Sequence, residues 1–275
     1  MGVVNVTPDS FSDGGRFADP DAAVARALRL AEEGADLVDL GGESTRPGAP
    51  PVPAEEELRR VLPVVERLRA RGFALPISID TSKAEVARAA LRAGADLVND
   101  VTGLRDPALA EAVAEAGAPV VLMHMRGTPA DMAERAVYGD VVAEVRAELE
   151  EALARAEAAG IPRDRTILDP GLGFAKTAEH SLVLLARLAQ LGTLGRPLLV
   201  GPSRKSFIAK AGGGASVAER LPGTLAAVAA AVLAGAELVR VHDVAPARQA
   251  ALVARAIRAA GAPGDHPATG PSAPR

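Results

Sequence analysis

The sequence predicts an α/β fold, a single (β/α)8 TIM barrel of parallel strands, on three observations. One phrase recurs, as EGADLVDL at 33–40, AGADLVND at 93–100 and AGAELVRV at 234–241, with AGAPVVLM at 116–123 as a looser copy. Each copy reads as a helix end stopped by glycine, followed by a short buried strand. Amphipathic segments of Ala, Arg, Glu and Leu, each of helical length, separate the copies, and continuous apolar strands alternating with helices are the mark of parallel strands covered by helices. Such units number eight, which suits a barrel of about 250 residues. An open doubly wound sheet is the alternative, but no G-x-G-x-x-G follows the first strand.

Taken in order, strands are expected near 2–6, 36–40, 76–80, 96–99, 119–124, 166–169, 197–201 and 237–242. Helices are expected at 19–33, 54–71, 83–93, 107–116, 140–159, 178–191, 205–211 with a continuation after a glycine break at 217–234, and 245–260. The glycines at 212–214 look like a phosphate cradle by composition, but they lack P-loop spacing and its Lys-Ser/Thr, so they read as a bend. Residues 1–261 form the expected catalytic domain, and the Pro/Gly/Ser-rich stretch 262–275 an expected disordered tail. Met1 enters the first strand at once, with nothing ahead of it to close the barrel floor.

Composition narrows the function. The 275 residues contain no cysteine, which excludes disulfides and thiolate metal sites. No apolar run is long enough to span a bilayer, and a soluble, cytoplasmic protein is expected. The net charge of −4 gives a nucleic-acid partner no global support, so an anionic small substrate needs a local basic site. Aromatics are scarce, and Phe11, Phe174 and Phe207 fall in Gly/Ser/Asp-rich stretches, which makes them candidates to contact a flat ligand or to plug a loop.

In a barrel the chemistry gathers where strands end. Those ends carry Asn5, the run Glu43–Arg46, Asp80, Asn99 and Asp100, His124, Asp169, Ser203–Lys205, and Arg240 with His242. Helix caps alone do not need this mix of acids, amides and bases. Asp80, Asn99 and Asp169 form an acceptor group suited to the adjacent N–H groups of a guanine-like or pterin-like ring, or else pair structurally with Lys205 or an arginine. Arg46, Lys205, Arg240 and His242, with Asn5 near them, suit a diphosphate or carboxylate, and an amide such as Asn5 can ligate Mg²⁺. Asp9 and Asp13 are metal ligands or simply turn residues, His124 reads as a satisfied wall residue, and His180 and His266 look incidental. The pattern therefore points to a substrate with a heterocyclic end and an anionic end.

The segments NVTPDSFSDGG (5–15), DLGGESTRPGA (39–49), ISIDTSK (77–83), LVNDVTG (97–103), LMHMRGTP (122–129), ILDPGLGF (167–174), GPSRKSFI (201–208) and RVHDV (240–244) together resemble the dihydropteroate synthases of the pterin-binding barrel superfamily. Members usually carry a further segment before the first strand. The resemblance implies condensation of 6-hydroxymethyl-7,8-dihydropterin diphosphate with p-aminobenzoate to 7,8-dihydropteroate, with early C–O cleavage, a pterin-stabilised cation and diphosphate released. It implies that Asp80, Asn99, Asp169 and Lys205 hold the pterin, with Met123 and Phe174 in the wall. Asn5, Arg46, Arg240 and His242 would hold diphosphate and Mg²⁺. Phe11, Thr45 and Pro47 would line the aminobenzoate site, with Ser206 meeting its carboxylate. A homodimer through helices far from the mouth is implied as well. Two rivals share the acidic pocket: a pterin-dependent methyltransferase acting on a corrinoid protein, and a non-catalytic pterin-binding paralogue. Neither needs the full set of anion residues and loops found here.

Overall fold

The recurrent phrase folds as its composition dictates. Gly94, for example, ends a helix at φ 110°, a conformation that a side chain would strain, and the apolar residues after it enter a strand. The computed structural model of the chain describes residues 1–7, 19–46 and 48–261. Among them the order is β1 (Gly2–Asn5), α1 (Pro20–Glu32), β2 (Val38–Gly41), α2 (Ala54–Ala70), β3 (Ile77–Asp80), α3 (Ala84–Arg92), β4 (Leu97–Asp100) and α4 (Pro107–Ala116). There follow β5 (Val120–Met123), α5 (Val141–Ala158), β6 (Thr166–Asp169), α6 (Ala178–Ala186), β7 (Leu199–Val200), α7 (Ser206–Ala211), α8 (Leu221–Leu233), β8 (Leu238–Val239) and α9 (Val244–Ala260). Helix starts carry their signals: Asp19 and Asp106 cap α1 and α4 by accepting from the second backbone N–H, each with proline at the first helical position.

Strands β1 to β6 pair in parallel in chain order, and β7 pairs with β8. Single bridges, Leu168 to Leu198 and Gly2 to Val241, join the two sheets on both sides and close the barrel. The short β7 lies between Pro197 and Pro202, which have no N–H to give a ladder. Alternate strand residues face opposite ways. One set (Val4, Leu40, Ile77, Ile79, Val98, Leu122, Leu168) packs under the helices in the main core with Leu30, Leu68, Leu109 and Leu153. The other set faces the barrel axis.

Two expectations are corrected. Helix α6 stops at Ala186 and the chain continues to Leu194 as a 3-10 helix. Leu188, Leu191 and Leu194 are all buried there, and a three-residue repeat is the one that places them on a single side. The barrel floor is also closed: Met1, Leu97, Val121 and Leu199 are buried together, with Leu37, Ile167 and Leu238 packed against them. Inward-facing residues at the strand starts supply that layer. The tail 262–275, Phe11, Asp9, Asp13 and Pro47 lie outside the described residues.

Candidate active site

The parallel register brings the strand ends to one level. Asn5 pairs with Gly41, Gly41 with Asp80, Asp80 with Asn99, and Met123 with Asp169. All share the inward parity, as do Asp39 two residues before Gly41 and Arg240 on the far side. A sequence reading that separates the acids from the bases is not what the fold makes. Arg240 enters the acid group: Nε donates to Asp39 Oδ2 at 2.6 Å and a terminal nitrogen to Asp80 Oδ2 at 2.8 Å. Asn99 Nδ2 donates to the same Asp39 oxygen at 3.2 Å. Burial works against the Arg240 cation, but Asp39 and Asp80 outweigh it and its pKa rises. Burial lifts Asp80 to about 8, Arg240 restraining it in part and Asp39 adding to the rise. Asp39 is fully buried, and its Oδ1 has no hydrogen-bond partner among the described residues.

Asp169 sits at the end of β6, where Oδ1 accepts from the Gly171 N–H at 2.7 Å and Oδ2 accepts no hydrogen bond among the described residues. Burial raises its pKa, with Lys205 opposing. Lys205 Nζ donates to the Leu172 carbonyl and lies 4.6 Å from the centre of the Phe174 ring. Burial lowers its pKa to about 8, against the pull of Asp169. Phe174 packs on Val101, Met123, Met125, Met132 and Ala175, an apolar wall beside the carboxylates. Phe207, by contrast, belongs to the main core.

The remaining donors gather at the mouth. His242 Nδ1 lies 2.9 Å from Ser203 Oγ, which also accepts the His242 backbone N–H. In the tautomer where the Ser203 hydroxyl donates to Nδ1, Nε2 keeps a proton to offer outward. Burial, then the charges of Arg240, Arg204 and, more weakly, Arg46, hold His242 down to about 4. Arg46 is thus within charge reach of His242, yet its guanidinium makes no ion pair or hydrogen bond among the described residues. Asn5 is half-buried, and its carboxamide is likewise uncommitted among the described residues. Thr45 is half-buried, and Ser206 is exposed in the first turn of α7.

A model of the pterin-binding enzyme family matches residues 1–242. The chain belongs to the pterin-binding enzyme family, on its dihydropteroate synthase branch. It is 50% identical over 244 residues to the dihydropteroate synthase of Escherichia coli strain K12, covering 89% of this chain and 86% of that one. A solved Xanthomonas albilineans dihydropteroate synthase with 4-aminobenzoic acid is 54% identical at a TM-score of 0.88, over 94% of this chain and 92% of that one. The Yersinia pestis enzyme, solved in a sulfonamide drug complex, is 44% identical at a TM-score of 0.88, over 94% of this chain and 93% of that one.

For a pterin-binding enzyme the least expected residues are those that hold the others. Asp39 escaped the sequence reading because it lies within an apolar strand, and an acid in such a run was the available signal. Lys83, after β3, donates to Glu43 and, at 2.6 Å, to Glu57 Oε2. Glu43 Oε1 also accepts from Val52 N–H at 2.8 Å, so the neck of the loop carrying Thr45 and Arg46 is tied. Burial raises the pKa of Glu57, which is fully buried. No spacing in the sequence marks this trio.

Proposed function

We propose that the chain transfers the pterinylmethyl group of 6-hydroxymethyl-7,8-dihydropterin diphosphate to the amine of p-aminobenzoate, forming 7,8-dihydropteroate and diphosphate (EC 2.5.1.15). The observation that carries this reading is one rim of strand ends with two unlike groups of side chains. At the barrel axis a carboxylate oxygen of Asp169 is open beside Lys205 and an apolar wall, and at the mouth Arg46, His242 and Asn5 offer donors or ligands that nothing described satisfies.

On this reading Asp169 accepts two ring N–H groups of the pterin, as a carboxylate accepts a guanidinium. Asn99 and Asp80, aligned by Arg240 and Asp39, meet the remaining polar edge. Lys205 donates to a ring acceptor, and Phe174 and Met123 cover the ring face. Arg46, His242 Nε2–H and Arg240 receive the diphosphate, whose negative charge grows as the C–O bond breaks. The amine of p-aminobenzoate then closes on the methylene carbon and gives up a proton. Its ring is placed by Thr45 with Phe11 and Pro47, and its carboxylate by Ser206. No nucleophilic side chain is required.

Asn5 fits Mg²⁺, since its uncommitted amide oxygen at a strand end is a hard ligand and such a cation keeps waters and takes phosphate oxygens besides. Bound there, the ion would neutralise charge on the leaving diphosphate. The enzyme works, on this reading, in the cytoplasm, with residues 1–261 as its catalytic domain. No helix among the described residues is long and apolar enough to cross a membrane. We also assign a homodimer, through the outer face of α8 and α9, where Leu233, Leu252, Val253 and Ile257 are exposed.

The test is purified protein with dihydropterin diphosphate, p-aminobenzoate and Mg²⁺. Stoichiometric release of diphosphate with formation of dihydropteroate is expected. Absence of turnover, with pterin still bound, would overturn the transferase reading.

A further inference from the structure

Behind the pocket wall lies a buried polar cluster to which the reaction above gives no task. His124 follows Met123 on the chain, has the opposite parity, and turns away from the barrel axis toward α5. Its Nε2 lies 3.0 Å from Glu148 Oε2 and its Nδ1 lies 2.8 Å from Lys176 Nζ. Glu148 is held down to about 2 by the His124 bond first and by Arg126 as well, so it is ionised and can only accept. Nε2 therefore carries the ring proton and Nδ1 offers a lone pair, which Lys176 must meet as donor. Two further acceptors surround the same nitrogen, the His124 carbonyl at 3.3 Å and the Phe174 carbonyl at 2.9 Å. Three acceptors match the three N–H bonds of an ammonium, where a neutral amine would turn its lone pair on one of them. Burial pushes Lys176 well below the ordinary lysine range, and Asp169 is the strongest of the charges opposing that fall.

The backbone around this lysine bears on the pocket directly. His124 N–H donates to the Asp169 carbonyl at 2.9 Å. Gly171 crosses so close over the His124 carbonyl that a Cβ there would sit 2.0 Å from its oxygen, and the same Gly171 supplies the N–H that orients Asp169 Oδ1. Ala175 is held at φ 48°, a left-handed conformation uncommon for a residue with a side chain. It is clamped on one side by the Lys176 bond to Phe174 and on the other by Tyr138 Oη donating to the Ala175 carbonyl at 3.0 Å. That turn presents the Phe174 ring to Lys205.

We infer that Lys176 is a positioning residue of the pterin pocket: a buried ammonium that ties the end of β5 to the loop after β6, fixing Phe174 and keeping a positive charge behind Asp169. The inference rests on the pterin reading of the site. The charged and titratable groups around Lys176 are Asp169, Lys205, Glu148, Arg126 and His124. Removing its charge takes away one cation that opposes the rise of the Asp169 pKa, so the carboxylate ionises at higher pH.

The experiment is calorimetric titration of 6-hydroxymethylpterin into wild type, Lys176→Met and His124→Asn between pH 6 and 8. Lys176→Met is expected to bind at least tenfold more weakly near pH 6, with the deficit relative to wild type shrinking as pH rises. His124→Asn keeps an acceptor near the place of Nδ1 and is expected to stay within threefold of wild type with an unchanged profile. Where Lys176→Met does not fold, Lys176→Gln, which keeps two donors and no charge, is expected to show the same pH-dependent deficit. Wild-type affinity in the lysine variants at every pH overturns the inference, as does an equal, pH-independent loss in the lysine and histidine variants. A wild-type protein that does not bind the pterin at all overturns the functional reading instead, and this inference with it.

Discussion

Asp169 gives one carboxylate oxygen to Gly171, and on the proposed reading the other takes the pterin. In Asp169→Asn the amide can match only one of these demands, and its NH₂ faces donors. Unpaired buried donors cost about 1–3 kcal/mol, so calorimetry should register at least a tenfold loss of pterin affinity, and undiminished binding would remove Asp169 from the site. Arg240 and His242 are both basic and two residues apart, yet their deletions should differ in kind. Arg240→Ala strands Asp39 and Asp80, which are buried on either side of it, and breaking such a network costs about 3–5 kcal/mol, read as a large fall in Tm. His242→Ala should leave Tm almost unchanged and weaken diphosphate binding. Similar Tm losses in the two variants would contradict this division. His124 supplies a third residue-level outcome. Its pKa is lowered to about 4, by burial first and by Lys176 next, so the folded protein excludes a proton that the unfolded chain takes up below about 6.5. That group's contribution to stability is complete above pH 6.5 and is lost as pH falls toward 4, by about 3 kcal/mol at most. Denaturant titrations at pH 7 and pH 4.5 should show a smaller drop for His124→Asn than for wild type, and equal drops would refute the assignment.

At the scale of an element, the loop after β2 divides into a neck and a tip. Glu43 holds both Val52 and Lys83, and Arg60 donates to the Gly42 carbonyl at 2.7 Å, so the neck is fixed by α2 and by the turn after β3. The tip carries Thr45 and Arg46 and is exposed at Arg46. On the proposed reading a ligand that engages Arg46 orders the tip, and the cost met by the first ligand does not fall again on the second. p-Aminobenzoate should therefore bind more tightly once pterin, diphosphate and Mg²⁺ are present, with a coupling of about 1–3 kcal/mol. Titrating p-aminobenzoate into the free protein and into that complex measures it. Equal affinities would mean that the tip is already in place.

For the whole molecule, the mouth and the proposed dimer face have different makeup. The mouth gathers charge, while the outer side of α8 and α9 exposes Leu233, Val253 and Ile257 among alanines. Such a face on a barrel helix pair suits a second copy. Ile257→Glu should lower the mass measured by light scattering from dimer to monomer while the circular dichroism spectrum is kept. A wild-type protein that is already monomeric at micromolar concentration would dispose of the dimer.

The amino-acid sequence by itself determined the eight-unit alternation, because a buried parallel strand must be apolar throughout and a helix between strands must be amphipathic. It also marked Asn5, Asp80, Asn99, Asp169, Lys205, Arg240 and His242, because polar residues at apolar strand ends stand out. What only the tertiary structure decided is which of them meet. Arg240 lies 201 residues from Asp39 and 160 from Asp80, and nothing local couples them; barrel closure does. Strand parity, set by the register, sent Met123 inward and His124 outward, so that neighbours in the chain serve opposite sides of the wall. The ties through Lys83 and Lys176 were equally hidden, because a buried polar contact is specified by the distance between elements, and periodicity carries no information about distance.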